Sequence, residues 1–343
     1  MAVERPGQDL VAKYSLDDGA CKPSSDSING SGDDEKQVGE NVPADKTVQK
    51  EQDQDDPFGD ESNNDVKYRT MEWYHAAVIL IAETISLGIL SLPSMLATIG
   101  MVPGVILILV LGALATYTGY VIGQFKLRYP HVHNLADAGE VMAGAFGREF
   151  LGAAQVLFMC FIMASHLLTF KIAMDTITEH ATCSIVWGFV GTIILMVCTL
   201  PRTLKKVSYF SLVSFISIGG AVVITMIGVG VERPNSTVHA TTEVAFASAF
   251  GSVTNIIFAY AGHVAFFSFI SELKDPREFP KALYTLQITS TIMYLVVAVV
   301  VYRYAGSDVA SPALGSTADT VKKVAYGIAL PTVSTTSLFK LEW

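Results

Sequence analysis

The sequence predicts an all-α protein that crosses a membrane several times. Hydrophobic residues make up 51% of the 343 residues and charged residues only 16%, and the mean hydropathy is +0.43. Seven apolar runs of about 20 residues follow one another, and each is long enough to cross ~30 Å of hydrocarbon as a helix. Two of these runs carry polar residues and glycine in their middle, which a simple membrane anchor does not need.

Residues 1–72 are predicted to form a disordered tail, separate from the membrane domain, residues 73–343. The tail holds 18 acidic and 8 basic residues, whereas the remainder holds 14 acidic and 15 basic residues. High charge with few bulky apolar residues is typical of disordered segments. The negative charge also disfavours a nucleic-acid partner. The tail has no signal-peptide pattern, so we expect the first apolar run to direct the chain to the membrane.

The seven predicted spans are separated by polar loops. They cover residues 76–99, 101–125, 150–170, 183–200, 207–231, 244–271 and 282–302. An eighth apolar run begins near Val324 but becomes polar at residues 334–337, so we expect this helix to be short or bent.

The distribution of Lys and Arg predicts which loops face the cytoplasm. The loops after spans two, four and six carry nine of these residues, whereas the loops after spans one, three and five carry only Arg233 and, at the end of span three, Lys171. Because cytoplasmic loops are enriched in Lys and Arg, the even-numbered loops and the amino-terminal tail are assigned to the cytoplasm. Asn235 begins an Asn-Ser-Thr triplet in the loop after span five, and it is therefore an external glycosylation candidate.

The first span contains three residues that favour a solute site. Glu83 places a carboxylate inside an apolar run, which costs roughly 3 kcal/mol at bilayer depth unless the group faces a cavity or a partner. Gly88 and Pro93 follow, and both weaken the hydrogen-bond ladder of a membrane helix. We therefore expect a discontinuous helix that lines a site.

The sixth span is interrupted in a similar way by the run Phe258-Ala-Tyr-Ala-Gly-His263. Spans one and six cross the membrane in opposite directions, and two broken helices at matching places in antiparallel halves indicate an inverted-repeat transporter. Broken helices expose amides that suit a carboxylate and carbonyls that suit a cation. A zwitterionic amino acid presents both groups and is the favoured substrate.

Three motifs, in this order along the chain, resemble those of the amino acid/auxin permease family of the APC superfamily. The sequence as a whole is most similar to fungal neutral amino-acid permeases. The first motif is Gly88-Ile-Leu-Ser-Leu-Pro93, and the second runs from Lys126-Leu-Arg-Tyr-Pro130 to Phe146-Gly-Arg148. The third is the span-six run, followed by Glu272-Leu-Lys-Asp-Pro276. The resemblance implies a LeuT-like inverted-repeat fold of usually eleven helices, and uptake of amino acids by a symporter that is typically proton-coupled in fungi.

Two features depart from that family's pattern. Sodium-coupled animal relatives carry an asparagine in the first helix where this chain has Ala82, followed by Glu83. A missing side-chain oxygen beside an added carboxylate favours protons over sodium. The last helices are also absent, so we interpret the chain as an incomplete LeuT-like fold, truncated at the carboxyl end. We expect the 343-residue form not to transport.

The candidate site residues lie at the two interruptions. Glu83 and His263 are assigned to proton coupling, with a structural hydrogen bond as the alternative for each. His166 in span three is interpreted as a packing residue. The substrate-binding candidates are Thr84, Ile85, Ser86, Leu87, Gly88, Phe258, Ala259, Tyr260 and Gly262.

The leading hypothesis is a multi-pass secondary transporter of neutral amino acids, with an amino acid, protons and membrane lipid as its partners. The plasma membrane is favoured over the vacuolar membrane. One alternative is a seven-helix receptor, although that class has an external tail. Another is a permease-derived sensor or fragment that does not transport. The sequence shows no nucleotide loop, metal cluster or nucleophile-base arrangement, so we expect neither an enzyme nor a cofactor or metal.

Overall fold

Helices account for nearly all of the regular structure in the computed structural model. It describes residues 71–85, 88–198, 204–232 and 237–341, with backbone alone at 198, 204–210 and 333–341. The α-helices in chain order are α1 Trp73–Ile85, α2 Gly88–Ile99, α3 Met101–Arg128, α4 Leu135–Ile177, α5 Ser184–Cys198, α6 Leu204–Glu232, α7 Phe246–Ala259, α8 His263–Glu272, α9 Phe279–Ala305 and α10 Asp319–Leu341.

Two of the predicted spans are each built from a pair of shorter helices. The first span is α1 followed by α2, and the two axes differ by 48°. The sixth span is α7 followed by α8, with Tyr260, Ala261 and Gly262 between them. Pro93 lies within α2.

Five helical segments are long and apolar enough to cross a membrane, or six if α1 and α2 form one span. The fourth predicted span, residues 183–200, corresponds to α5, whose apolar part, Ser184–Val197, is shorter. At 1.5 Å per residue it covers roughly 20 Å. The structure is therefore that of an all-α polytopic membrane protein, and among the described residues the one β-type pairing is an isolated bridge between Met71 and Leu273.

Span three extends well beyond the predicted residues 150–170. α4 covers 43 residues, with non-helical backbone at Ala143 and Gly144. Gly144 has φ of 62°, a conformation that glycine adopts without steric cost. The segment before this kink begins at Asn134, whose side chain accepts a hydrogen bond from the Asp137 amide. Apolar periodicity alone did not reveal the helix at residues 135–142, because the charged side chains of Asp137 and Glu140 are typical of a loop between spans.

Helix α9 lies at the centre of the bundle and packs against α1, α2, α3 and α6. Glycines on α3 allow the closest approach: a Cβ at Gly119 would lie 2.8 Å from a Leu283 methyl, and one at Gly123 would lie 2.8 Å from the Phe279 ring. The Gly119-x-x-x-Gly123 spacing, in which small residues recur one turn apart, therefore provides close packing between α3 and α9. Large apolar side chains such as Val110 cover the outside instead, as expected where the surroundings are hydrocarbon.

The last helix is longer than expected. α10 continues to Leu341, so the polar residues 334–337 do not end it, and the expectation of a short helix was wrong. It packs against α6, where Thr332 donates to the Ser214 carbonyl at 2.8 Å. Lys323 of α10 binds Glu179 in the loop after α4, and this hydrogen bond and charge lower the pKa of the Glu179 carboxyl.

The predicted tail lies outside the described residues except for its last two. Met71 pairs with the chain just after α8, where its amide donates to the Glu272 carbonyl at 3.3 Å. Its own carbonyl accepts from the Lys274 amide at 2.8 Å. The chain entering α1 is thereby joined to the end of α8.

Candidate functional site

A small cavity lies where the two interrupted spans meet. Its volume is about 40 Å³, which is room for about three water molecules. The first span and the sixth span form two of its walls, and α4 forms the third. The lining residues are Glu83, Thr84, Gly88, Ile162, Ser165, His166, Phe258, Ala259, Ala261 and Gly262.

Glycines bring the two interrupted spans into direct contact at this cavity. A Cβ at Gly88 would lie 2.8 Å from Ala259 Cα, closer than two carbon atoms can approach. A Cβ at Gly262 would lie 3.0 Å from Thr84 Oγ1. Both motif glycines therefore provide close packing between the spans, and backbone atoms form much of the cavity wall.

The helix ends give the cavity its polarity. α1 ends at Ile85 and α7 ends at Ala259, and the last carbonyls of a helix carry partial negative charge. α2 and α8 begin a few residues later, and the first amides of a helix carry partial positive charge. The site thus offers acceptors and donors from backbone groups, with Glu83 as the one carboxylate among its described lining residues.

One buried hydroxyl contacts both interrupted spans. Tyr294 of α9 has its hydroxyl 3.0 Å from the Thr84 carbonyl and 2.7 Å from the Ala259 carbonyl. These carbonyls belong to the last turns of α1 and α7. In continuous helices, the amides of Gly88 and His263 would bond to them.

Tyr260 points from the sixth-span interruption into the core rather than into the small cavity. Its ring meets the Tyr294 ring edge-on, with centroids 5.1 Å apart. Its hydroxyl donates to the Ile108 carbonyl at 3.1 Å and lies 3.2 Å from Thr291 Oγ1. The hydrogen bonds of this phenol are therefore made with α3 and α9.

His263 lies beside a second cavity, of about 340 Å³ and with a mostly apolar lining. Its Nε2 is 2.9 Å from the Ala115 carbonyl and 2.9 Å from Thr118 Oγ1, both on α3. Because a carbonyl only accepts, the bond to Ala115 requires the proton on Nε2. The structure does not place His263 in the cavity that contains Glu83.

The predicted site residues thus fall into four groups. Glu83 and five substrate-binding candidates line the small cavity: Thr84, Gly88, Phe258, Ala259 and Gly262. Tyr260 and His263 line the second cavity. Ile85 is buried in the hydrophobic core. Ser86, Leu87 and the glycosylation candidate Asn235 lie outside the described residues.

Sequence reasoning missed the wall that α4 contributes. Ile162, Ser165 and His166 line the small cavity. The Nδ1 of His166 is 2.9 Å from the Ile162 carbonyl, and the side chain is 2% exposed. The sequence did hold a signal, because His166 is an ionisable residue within an apolar span, the argument that identified Glu83.

A multi-pass helical membrane protein with a cavity at two interrupted spans has the general architecture of a solute transporter. The chain belongs to a family described as transmembrane amino acid transporter protein, whose model matches residues 69–338. This confirms the resemblance to the amino acid/auxin permeases. The members of this family are transporters and not enzymes. Membership of a transporter family does not support the seven-helix receptor hypothesis.

Individual relatives agree with this assignment. The chain is 39% identical over 278 residues to the N amino acid transport system protein of Neurospora crassa, a match that covers 78% of this chain and 59% of that protein. It is 29% identical over 281 residues to a transmembrane transporter of Fusarium pseudograminearum, covering 79% of this chain and 59% of that protein. Amino acid transporter AVT1D of Arabidopsis thaliana is 24% identical over 236 residues, 66% of this chain and 42% of the plant protein. The chain therefore spans about 59% of the length of its fungal relatives.

Proposed function

We propose that this protein is a secondary active transporter of neutral amino acids that is driven by protons. The observation that carries the proposal is the cavity at which the ends of both interrupted spans meet beside Glu83. The names of the Neurospora and Arabidopsis relatives, both of which refer to amino acid transport, support the substrate class. In a LeuT-like inverted-repeat arrangement, this meeting point is where substrate binds.

The backbone groups at the cavity favour a zwitterion. Carbonyls at the ends of α1 and α7 suit an ammonium group, and amides at the starts of α2 and α8 suit a carboxylate. A space for about three water molecules is too small for a bulky side chain. We infer that the cavity widens when the substrate enters, as alternating access requires.

Coupling to protons is proposed for Glu83. A carboxylate in a small cavity inside a membrane protein is costly when charged, so binding a proton there is favourable. Ala82 beside it offers no side-chain oxygen to a sodium ion, and it is buried. Proton uptake by Glu83 would therefore accompany substrate binding, and proton release would accompany substrate release.

The membrane and the orientation are also part of the proposal. The Lys and Arg distribution supports a cytoplasmic amino terminus, with the loop that contains Asn235 outside. The plasma membrane is the favoured location, because uptake from an acidic exterior would use the proton gradient of a fungal-type cell. Glycosylation of Asn235 would mark arrival on the external side.

Uptake measurements test this function directly. The gene is expressed from its genomic sequence, with any downstream exons, in yeast that lacks neutral amino-acid permeases. We expect saturable uptake of labelled leucine or phenylalanine that rises as external pH falls and does not change when sodium is replaced by choline. A sodium requirement would contradict proton coupling. Surface expression without any amino acid flux would favour the permease-derived sensor instead.

A further inference from the structure

We propose that Tyr294 is a positioning residue that ties the two interrupted spans together through its hydroxyl. The inference rests on the proposed transport function, because it concerns the carbonyls that would receive the substrate ammonium group. Tyr294 was not among the residues indicated by the sequence. It lies on α9, outside both motifs, and does not line the small cavity.

The tie joins equivalent points of the two spans. The Tyr294 hydroxyl lies 3.0 Å from the Thr84 carbonyl and 2.7 Å from the Ala259 carbonyl. Ala259 is the last residue of α7, and Thr84 is the penultimate residue of α1. Each interruption deprives a carbonyl of its usual amide partner, and the same phenol reaches both carbonyls.

The number of hydrogens makes this tie adjustable. A tyrosine hydroxyl has one hydrogen, so it cannot donate a full hydrogen bond to two carbonyls at once. Each carbonyl oxygen has two lone pairs, so both carbonyls keep accepting capacity that an ammonium group can use.

Packing determines where the hydroxyl can be. Tyr294 is fully buried, and the Tyr260 ring meets it edge-on. Tyr260 is itself held by its bond to the Ile108 carbonyl. A Cβ on Gly112 of α3 would lie 3.0 Å from the Tyr260 hydroxyl, so the helix backbone closes that side. The phenol of Tyr294 thus sets the separation of the two carbonyls.

Tyr294→Phe tests the tie, because it retains the ring and removes only the hydroxyl. Tyr302→Phe is the matched control: Tyr302 is fully buried about two turns further along α9, and its hydroxyl accepts from the His239 amide at 3.1 Å. We expect Tyr294→Phe to raise the KM for leucine roughly tenfold at equal surface expression, and Tyr302→Phe to leave KM unchanged. An unchanged KM in Tyr294→Phe would overturn the proposal.

Hydrogen exchange provides a readout that does not require transport. In purified protein, peptides containing Gly88 and Ala259 should exchange faster in Tyr294→Phe than in the wild type or in Tyr302→Phe. Equal exchange in all three proteins would disprove the tie. If the wild type shows no uptake but exchange at these peptides responds to Tyr294→Phe, the proposed transport function is wrong and the tie itself is supported.

Discussion

Gly88 contacts Ala259 so closely that a Cβ on Gly88 would lie 2.8 Å from Ala259 Cα and 3.0 Å from its Cβ. This contact joins the start of α2 to the end of α7. It explains why glycine occupies the first position of the Gly88-to-Pro93 motif, since every other residue would force two backbones apart. The size of the small cavity depends on this separation.

Gly88→Ala is therefore expected to reduce transport strongly. The added methyl group meets backbone atoms, which cannot move aside as a flexible side chain can, and such overpacking costs about 1–3 kcal/mol. Gly251→Ala on α7 is the control, because a Cβ there meets nothing within 4 Å. Uptake and melting temperature should fall for Gly88→Ala only. Normal uptake by Gly88→Ala would show that the contact does not limit the site.

Glu83→Gln is expected to uncouple transport from the proton gradient. Glutamine keeps the size of glutamate and most of its hydrogen bonding, but its amide does not take up a proton in the pH range of the transport assay. Accumulation driven by external acid should fail, whereas exchange of internal for external amino acid should persist. Both are measured in proteoliposomes with labelled leucine. If Glu83→Gln accumulates leucine like the wild type, Glu83 has a structural role.

The two membrane histidines should differ in their effect on the pH profile. His166 lines the cavity that contains Glu83, whereas His263 lines the second cavity and binds α3. We expect His166→Gln to shift the pH dependence of uptake, and His263→Gln to lower the uptake rate without shifting that dependence. Initial uptake rates from pH 4.5 to 7.5, about the range in which Glu and His titrate, provide the comparison. If His263→Gln shifts the pH dependence of uptake and His166→Gln does not, proton coupling is assigned to His263.

Lys126→Met is expected to destabilise the loop between α3 and α4. The buried Lys126 ammonium donates to the Pro130 carbonyl at 2.6 Å and to the Val132 carbonyl at 2.5 Å. Its loss should cost about 2–3 kcal/mol and lower the melting temperature by several degrees.

Lys281→Met provides the control for this substitution. Lys281 is exposed and pairs with Glu278 at 2.7 Å, a surface contact worth less than about 1 kcal/mol. Thermal unfolding of the two variants in detergent, followed by fluorescence, gives the difference. Equal melting temperatures would mean that water replaces the Lys126 bonds without cost.

The local features of this fold were predictable because each depends on residues that are near one another in the sequence. Apolar runs predicted spans that agree with the main helices, and Gly88 with Pro93 pointed to the region where α1 gives way to α2. The helical extension of α4 before residue 150 was missed, since the charged residues Asp137, Glu140, Arg148 and Glu149 remove the apolar signal of a membrane span. The length of α10 was underestimated for a similar reason, because the polar run at residues 334–337 resembles a helix end.

The sequence by itself determined that the chain is a polytopic helical membrane protein, that it belongs with amino acid permeases, and that spans one and six carry the unusual residues. Only the tertiary structure decided that His166 shares a cavity with Glu83, that His263 does not, and that Tyr294 reaches the carbonyls of both interrupted spans. The physical reason is that helical periodicity defines a face within one helix. The rotation and depth of that helix against its neighbours are set by close contacts between distant residues, such as Gly88 with Ala259 and Gly119 with Leu283.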